Sequence, residues 1–201
     1  MSDERLSTYM KAAGYDADRA LRLYLWNARV GEAFHLPIQA VEVGLRNRIH
    51  THMIHTFGAG WWCAPAFEAV TELDRVRDIE IAVRRIGFKR GKLTDGQVVA
   101  TLSFGFWSGL LKKRYNPTLW SGKLPIAFPC LPPGIDRSHF FDRVKRVSDF
   151  RNRVWHHEPI FKQDLLAEYA ATMQVLGWIC SDKAAWVKPF CRVPALVREK
   201  P

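Results

Sequence analysis

Cysteine is scarce. Cys63, Cys130, Cys180 and Cys191 are the only four in 201 residues, and none shares the close paired spacing of a zinc site or a dithiol redox motif. They are expected to be reduced, mostly buried thiols in a cytoplasmic protein. Long hydrophobic runs are also lacking: the most apolar stretch, Val98 to Leu111, is interrupted by Thr101, Ser103 and Ser108 and falls short of the roughly 20 residues that a membrane span needs. No apolar leader segment follows Met1-Ser-Asp-Glu-Arg5, so a soluble, membrane-free protein is expected. Nowhere do apolar residues alternate with period two over a strand's length, which points to an all-α class. Acidic residues are the minority, 20 against 30 Lys and Arg, for a formal net charge of +10. An excess of that size concentrates polyanions, nucleic acid first. At 48% hydrophobic residues the chain is too apolar for intrinsic disorder.

What is present is a series of helical patterns. Residues 3–13 read as a short helix stopped at Gly14. Asp16 or Asp18 caps a longer one running to about Phe34, and Pro37 opens the next, with Ile38, Val41, Leu45, Ile49 and Met53 down one side to Gly58. Further helices are expected over about 66–86, from Thr94 or Asp95 to about Lys112, from about Asp136 into the 150s, and over 163–179. Within the second of these, Gly105 and Gly109 are spaced to let another helix approach closely. Between Asn116 and Gly134 lies a long loop rich in proline and aromatics, whose Trp120 and Phe128 suit a cover over the core. The expected organisation is one helical domain over 1–182 with a basic tail over 183–201. Two basic patches stand out: Lys89, Arg90 and Lys92, then Lys112, Lys113 and Arg114. Both are candidate RNA contacts.

The densest chemistry lies in Asp149-Phe-Arg-Asn-Arg-Val-Trp-His-His-Glu-Pro-Ile-Phe161. On a helix, Phe140, Val144, Val147 and Val154 form a buried stripe, and Arg151 falls on it. A guanidinium in an apolar seam must be paired or face a cleft, because an unpaired buried charge costs several kcal/mol. Asn152 and His156 share the neighbouring face, whereas His157 lines up with Lys145, Asp149 and Arg153 in a solvated row. His156 is therefore the favoured reactive imidazole and His157 the second candidate, with Arg153 available to RNA. Pro159 places both histidines at a helix end, where unpaired carbonyls favour a cation. On the earlier helix, Glu42, Arg46 and His50 recur every fourth residue, and Leu45-Arg-Asn-Arg-Ile-His50 echoes the later stretch, bringing in Asn47. Read blandly, Glu42 and Arg46 are an exposed helical ion pair.

The Arg151-Asn152 pair followed by His156 resembles the arginine, four to six residues, histidine signature of HEPN-superfamily ribonucleases, and Glu42 with Arg46 resembles the acidic and basic pair of an earlier HEPN helix. More closely, the chain resembles the Abi-like abortive-infection proteins of bacteria. The resemblance is carried by Gln39 to Asn47, Leu102-Ser-Phe-Gly-Phe-Trp107 with Lys113-Arg-Tyr115, and Phe150 to Ile160, spanning about the first 165 residues in order. It implies a HEPN-like helical bundle that dimerises around a shared cleft and cuts RNA without metal or cofactor in anti-phage defence. Arg151, Asn152 and His156 or His157 would be catalytic, with Glu42, Arg46, Asn47 and His50 in support. A regulatory or antitoxin partner belongs to the same implication. Glu158 stands where many toxin-type members carry a modifiable tyrosine, so silencing by that route is not expected.

The chemistry is coherent without the family name. Cleavage by the 2′-hydroxyl needs a base, an acid and a cation for the phosphorane. Imidazole serves as either of the first two, and Arg151 as the third. A single histidine cannot easily do both jobs, so a symmetric dimer is the expected remedy. Three other readings compete with this one. The chain can be a non-catalytic RNA-binding or sensor module using the same basic surface. It can be a protein-binding partner in which Arg151 and Glu42 form a structural pair. A metal hydrolase built on His50, His52 and His55 is the weakest, because His52 lies on a different face from His50 and no acidic cluster accompanies them.

Overall fold

The computed structural model describes residues 3–87 and 93–201, so Lys89, Arg90 and Lys92 lie outside the described residues. Among the described residues the chain is helical without a strand, the all-α bundle that the patterning requires. Helix α1 (Asp3–Ala12) ends where Gly14 and Tyr15 turn the backbone at φ 67° and 66°. Asp16 then caps α2 by accepting from the Arg19 N–H at 2.9 Å.

Helix α2 runs from Ala17 to Phe57 without interruption, 41 residues, or about 60 Å. Two helices divided at Pro37 are expected from sequence, and one helix is found. Proline removes an N–H and crowds the preceding turn, at about 3 kcal/mol. Here the apolar stripe Phe34, Pro37, Ile38, Val41, Leu45 is buried on both sides of the proline without a slip in phase. Burial on that scale outweighs the local penalty.

Helix α2 is the spine of two cores. Its first half packs with Tyr9 of α1, Phe150, Ile160, Phe161, Leu165, Val193 and Leu196. Its second half, from Val41, packs with Trp61, Trp107, Trp120, Phe128, Phe140, Val144, Val147 and Ile179. The change of core falls between Ile38 and Val41 on α2, and between Val147 and Phe150 on α8 (Arg137–Trp155). Helix α9 (Leu165–Ile179) lies along α2 so closely that a Cβ on Gly44 would meet Ile179 Cγ2 at 3.0 Å. Arg146 ties α8 to α9 through a bidentate pair with Glu168, whose hydrogen bonds raise the arginine's pKa further.

Elsewhere two expected helices are each broken in two. In place of one helix over 66–86 stand α3 (Pro65–Glu68) and α4 (Leu73–Ile86), and the Tyr115 hydroxyl accepts from the Glu72 N–H between them at 3.4 Å. In place of one from Thr94 stand α5 (Asp95–Thr101) and α6 (Phe104–Gly109). Ser103 leaves helical geometry to cap α6, accepting from the Phe106 N–H, a role serine favours over a helix interior. Gly109 makes room for the Arg75 side chain rather than for a helix: a Cβ there would lie 3.3 Å from the guanidinium carbon.

The proline-rich segment is ordered around a short wide turn at Asn116–Trp120 and α7 (Leu124–Ala127). Trp120 and Phe128 are buried in it, and the Trp120 indole donates to the Leu110 carbonyl at 2.7 Å. The terminal residues are folded too, in α10 (Ser181–Val187) and α11 (Val193–Arg198). Leu196 of α11 accepts from the buried Trp26 indole at 2.6 Å, so this segment closes the first-half core rather than trailing as a tail. No helix among the described residues is long and apolar enough to cross a membrane.

Candidate active site

The stretch from Asp149 to Phe161 ends α8 in a particular way. The His156 N–H donates to Asn152 O at 2.9 Å, the His157 N–H to Val154 O at 3.1 Å, and the Glu158 N–H to Arg153 O at 2.9 Å. The last two bonds make a Schellman closure, whose left-handed residue is most often glycine. Here it is His157, at φ 56°. A branched-off side chain in that region carries a steric cost of about 1–2 kcal/mol. The continuing chain is pinned by Asn27, buried on α2, whose Oδ1 accepts from the N–H groups of Ile160 and Phe161 at 2.9 and 3.0 Å.

That turn takes His157 out of the charged row assigned to it by a continued helix. Lys145 pairs with Asp149 and Arg153 with Glu158, as solvated charges do. His157 instead lines a cleft of about 690 Å³ between the first half of α2 and the end of α8. His156, the histidine favoured by helical spacing, is not among the residues lining that cleft, although both histidines are exposed. The cleft also receives His35, Glu32 and Tyr24 from α2, with Trp155 and Glu158 opposite.

Trp155 joins the cleft to Arg151. The His35 imidazole stacks on the indole at 4.9 Å and 21°, and the Arg151 guanidinium carbon lies 4.7 Å from an indole ring centre. Across the helix seam, Arg151 Nε is 3.7 Å from Glu42 Oε2, and its Nη1 donates to Asn152 Oδ1 at 3.5 Å. Arg151 is thus neither free in solvent nor fully buried: its side chain is 27% exposed and that of Glu42 25%. One turn beyond Glu42 stands Arg46, and the Nε atoms of Arg46 and Arg151 are both buried without a hydrogen-bond acceptor among the described residues. Arg75 Nε and Trp107 Nε1 share that condition elsewhere in the fold; at Arg46 and Arg151 the donors belong to guanidinium groups, which suit an anion.

The remaining candidates lie apart from this constellation. Asn47 is exposed. Lys112 and Arg114 both face Glu72, at 4.0 and 3.2 Å, which neutralises part of that basic patch, while Lys113 is exposed. His50 has a structural partner: its Nδ1 accepts from the indole N–H of the fully buried Trp61 at 3.0 Å. His52, on the other face, donates from Nε2 to Leu119 O at 2.7 Å and stacks on Trp120. No group of three His, Cys, Asp or Glu side chains among the described residues is arranged to hold a metal.

Burial lowers the pKa of His50, with Asp95 opposing more weakly, and lowers that of His52 against the pull of the Leu119 carbonyl. Both are therefore neutral in the fold when the unfolded chain already binds protons. Stability is complete above about 6.5, the ordinary histidine value, and declines as pH falls through the lower folded values. The melting temperature is expected to drop on acidification from pH 7 to 5, and the drop to shrink in His50→Gln/His52→Gln. An unchanged slope in that variant would show that these histidines do not drive it.

Sequence reasoning missed His35, Glu32 and Trp155. The signal was available: His35 precedes Glu42 by seven residues, two turns on the same face, and so extends the Glu42, Arg46, His50 row. Reading Pro37 as a helix start cut that row in two. No family model matches the chain, and no curated protein or solved structure matches it.

Proposed function

We propose that this protein is a metal-independent endoribonuclease, of the kind its Arg151-Asn152 motif resembles, acting in bacterial anti-phage defence. The observation that carries the reading is the cleft, in which one chain offers two imidazoles, His35 and His157, beside an indole that also bears Arg151. Two imidazoles supply the base and acid of 2′-hydroxyl attack without a second subunit's histidine. Arg151, paired with Glu42 and set against Trp155, whose indole lines the cleft, supplies fixed positive charge to a phosphorane. A homodimer and an antitoxin or regulatory partner belong to the proposal through the resemblance alone, since two imidazoles in one chain remove the chemical need for a shared cleft.

A second reading is favoured by the ion pair itself. Glu42 offsets the charge of Arg151, which suits a non-catalytic RNA-binding or sensor module. The test that separates the two is incubation of single-stranded RNA with the protein in chelator. Products ending in 2′,3′-cyclic phosphate are expected; retention of intact RNA in a salt-sensitive complex would select the binding module, and a requirement for divalent metal would refute the mechanism.

A further inference from the structure

The cleft is not the only surface suited to a ligand. Trp186 at the end of α10 and Phe190 in the 3-10 turn Lys188–Phe190 are 67% and 62% exposed. Their rings lie 6.2 Å apart at 61°, with Pro189 stiffening the backbone between them. Aromatic rings left this bare have no role in the core, and an adjacent pair marks a contact surface. Three cations are interleaved with them: Lys183, Lys188 and Arg192, none with an acidic partner among the described residues. A face built to bind another protein's apolar core is depleted in lysine. Exposed rings among unpaired cations are instead the arrangement that binds single strands, bases on rings and phosphates on cations.

The position of this face matters. A shallow groove of about 190 Å³ runs from Phe190 and Arg192 past Arg29 and Leu36 to Glu32, and Glu32 also lines the catalytic cleft. We infer that Trp186, Phe190, Lys188 and Arg192 form a stacking platform for single-stranded nucleic acid, joined to the cleft by the groove across α2. Because the rings stand at 61°, two bases seated on them cannot remain stacked on each other, which selects an unpaired strand over a duplex. That the strand is RNA rests on the cleavage reading above; the platform itself does not.

The test uses a 2′-O-methyl oligoribonucleotide of about one dozen residues, which the proposed chemistry cannot cut, and measures its binding by fluorescence anisotropy. Trp186→Ala and Phe190→Ala are each expected to weaken binding about tenfold. Trp186→Phe should retain most of the affinity, and Lys188→Glu/Arg192→Glu should lower both affinity and salt dependence. An oligomer of abasic sugars should bind weakly and equally to wild type and Trp186→Ala. Both aromatic positions are exposed, so circular dichroism is expected to be unchanged. Wild-type affinity in Trp186→Ala/Phe190→Ala would overturn the platform, as would a self-association in sedimentation that those changes abolish while leaving oligonucleotide affinity intact. Failure of the nuclease reading is distinguishable: unmodified RNA would then be bound through the two rings and left uncut.

Discussion

His157→Gly is expected to reduce RNA cleavage about 100-fold or more while raising the melting temperature. The loss follows from removing one of the two imidazoles that line the cleft, since a positioned acid or base contributes roughly 10²–10⁴ in rate. The gain follows from the backbone. His157 sits at φ 56°, where a Cβ is costly and glycine is not, so relief of about 1 kcal/mol is expected. For a chain of this size that corresponds to about 2–4 °C. Activity and stability thus move in opposite directions, the pattern of a residue kept for chemistry at the expense of the fold. His156→Ala is the control: outside the cleft lining and at an exposed position, as His157 also is, it should cost little of either. Loss of cleavage in His156→Ala with full activity in His157→Gly would return the assignment to the helical-spacing reading and empty the cleft of its proposed role.

The second large effect concerns Arg151. Arg151→Ala is expected to slow cleavage about 100- to 1,000-fold, the usual range for removing a preorganised transition-state charge. Its effect on stability should be small, under about 1 kcal/mol, because the pair with Glu42 is long at 3.7 Å and each side chain is about a quarter exposed. Arg151→Lys should recover little, since an ammonium lacks the planar fork with which a guanidinium grips a phosphate. Parallel thermal melts decide the competing account. If Arg151 and Glu42 are a structural strut, Arg151→Ala should destabilise by about 3–5 kcal/mol, as loss of one partner from a buried pair does. A small change in stability with a large change in rate leaves only the chemical role.

Much of the architecture was legible because it depends on period and caps. Asp16 and Asp136, both placed at helix starts from sequence, each accept from the N–H three residues on, and the stripe Phe140, Val144, Val147 is buried as its spacing requires. Arg151 was legible as an anomaly, and its partner Glu42 was among the residues singled out from sequence. What misled was local punctuation weighed without its surroundings. Pro37 looks like a boundary, yet lies buried inside a 41-residue helix. Ser103 looks like a tolerated interior residue, yet begins a new helix. The basic, proline-bearing end looks like a tail, yet Val193 and Leu196 complete a core.

The site divides along the same line. That an arginine, an asparagine and two histidines would cluster at a helix end before Pro159, on a basic all-helical chain, was determined by the sequence alone, because these are matters of composition and of spacing along one element. Which histidine faces a cleft, and what faces it, was decided only by tertiary structure. Helical periodicity stops at Trp155; beyond it the direction of His157 depends on a left-handed turn held by Asn27, far away in the chain. The opposite wall, His35 and Glu32, is set by how α2 crosses α8, a packing relation between residues more than one hundred positions apart that no local pattern encodes.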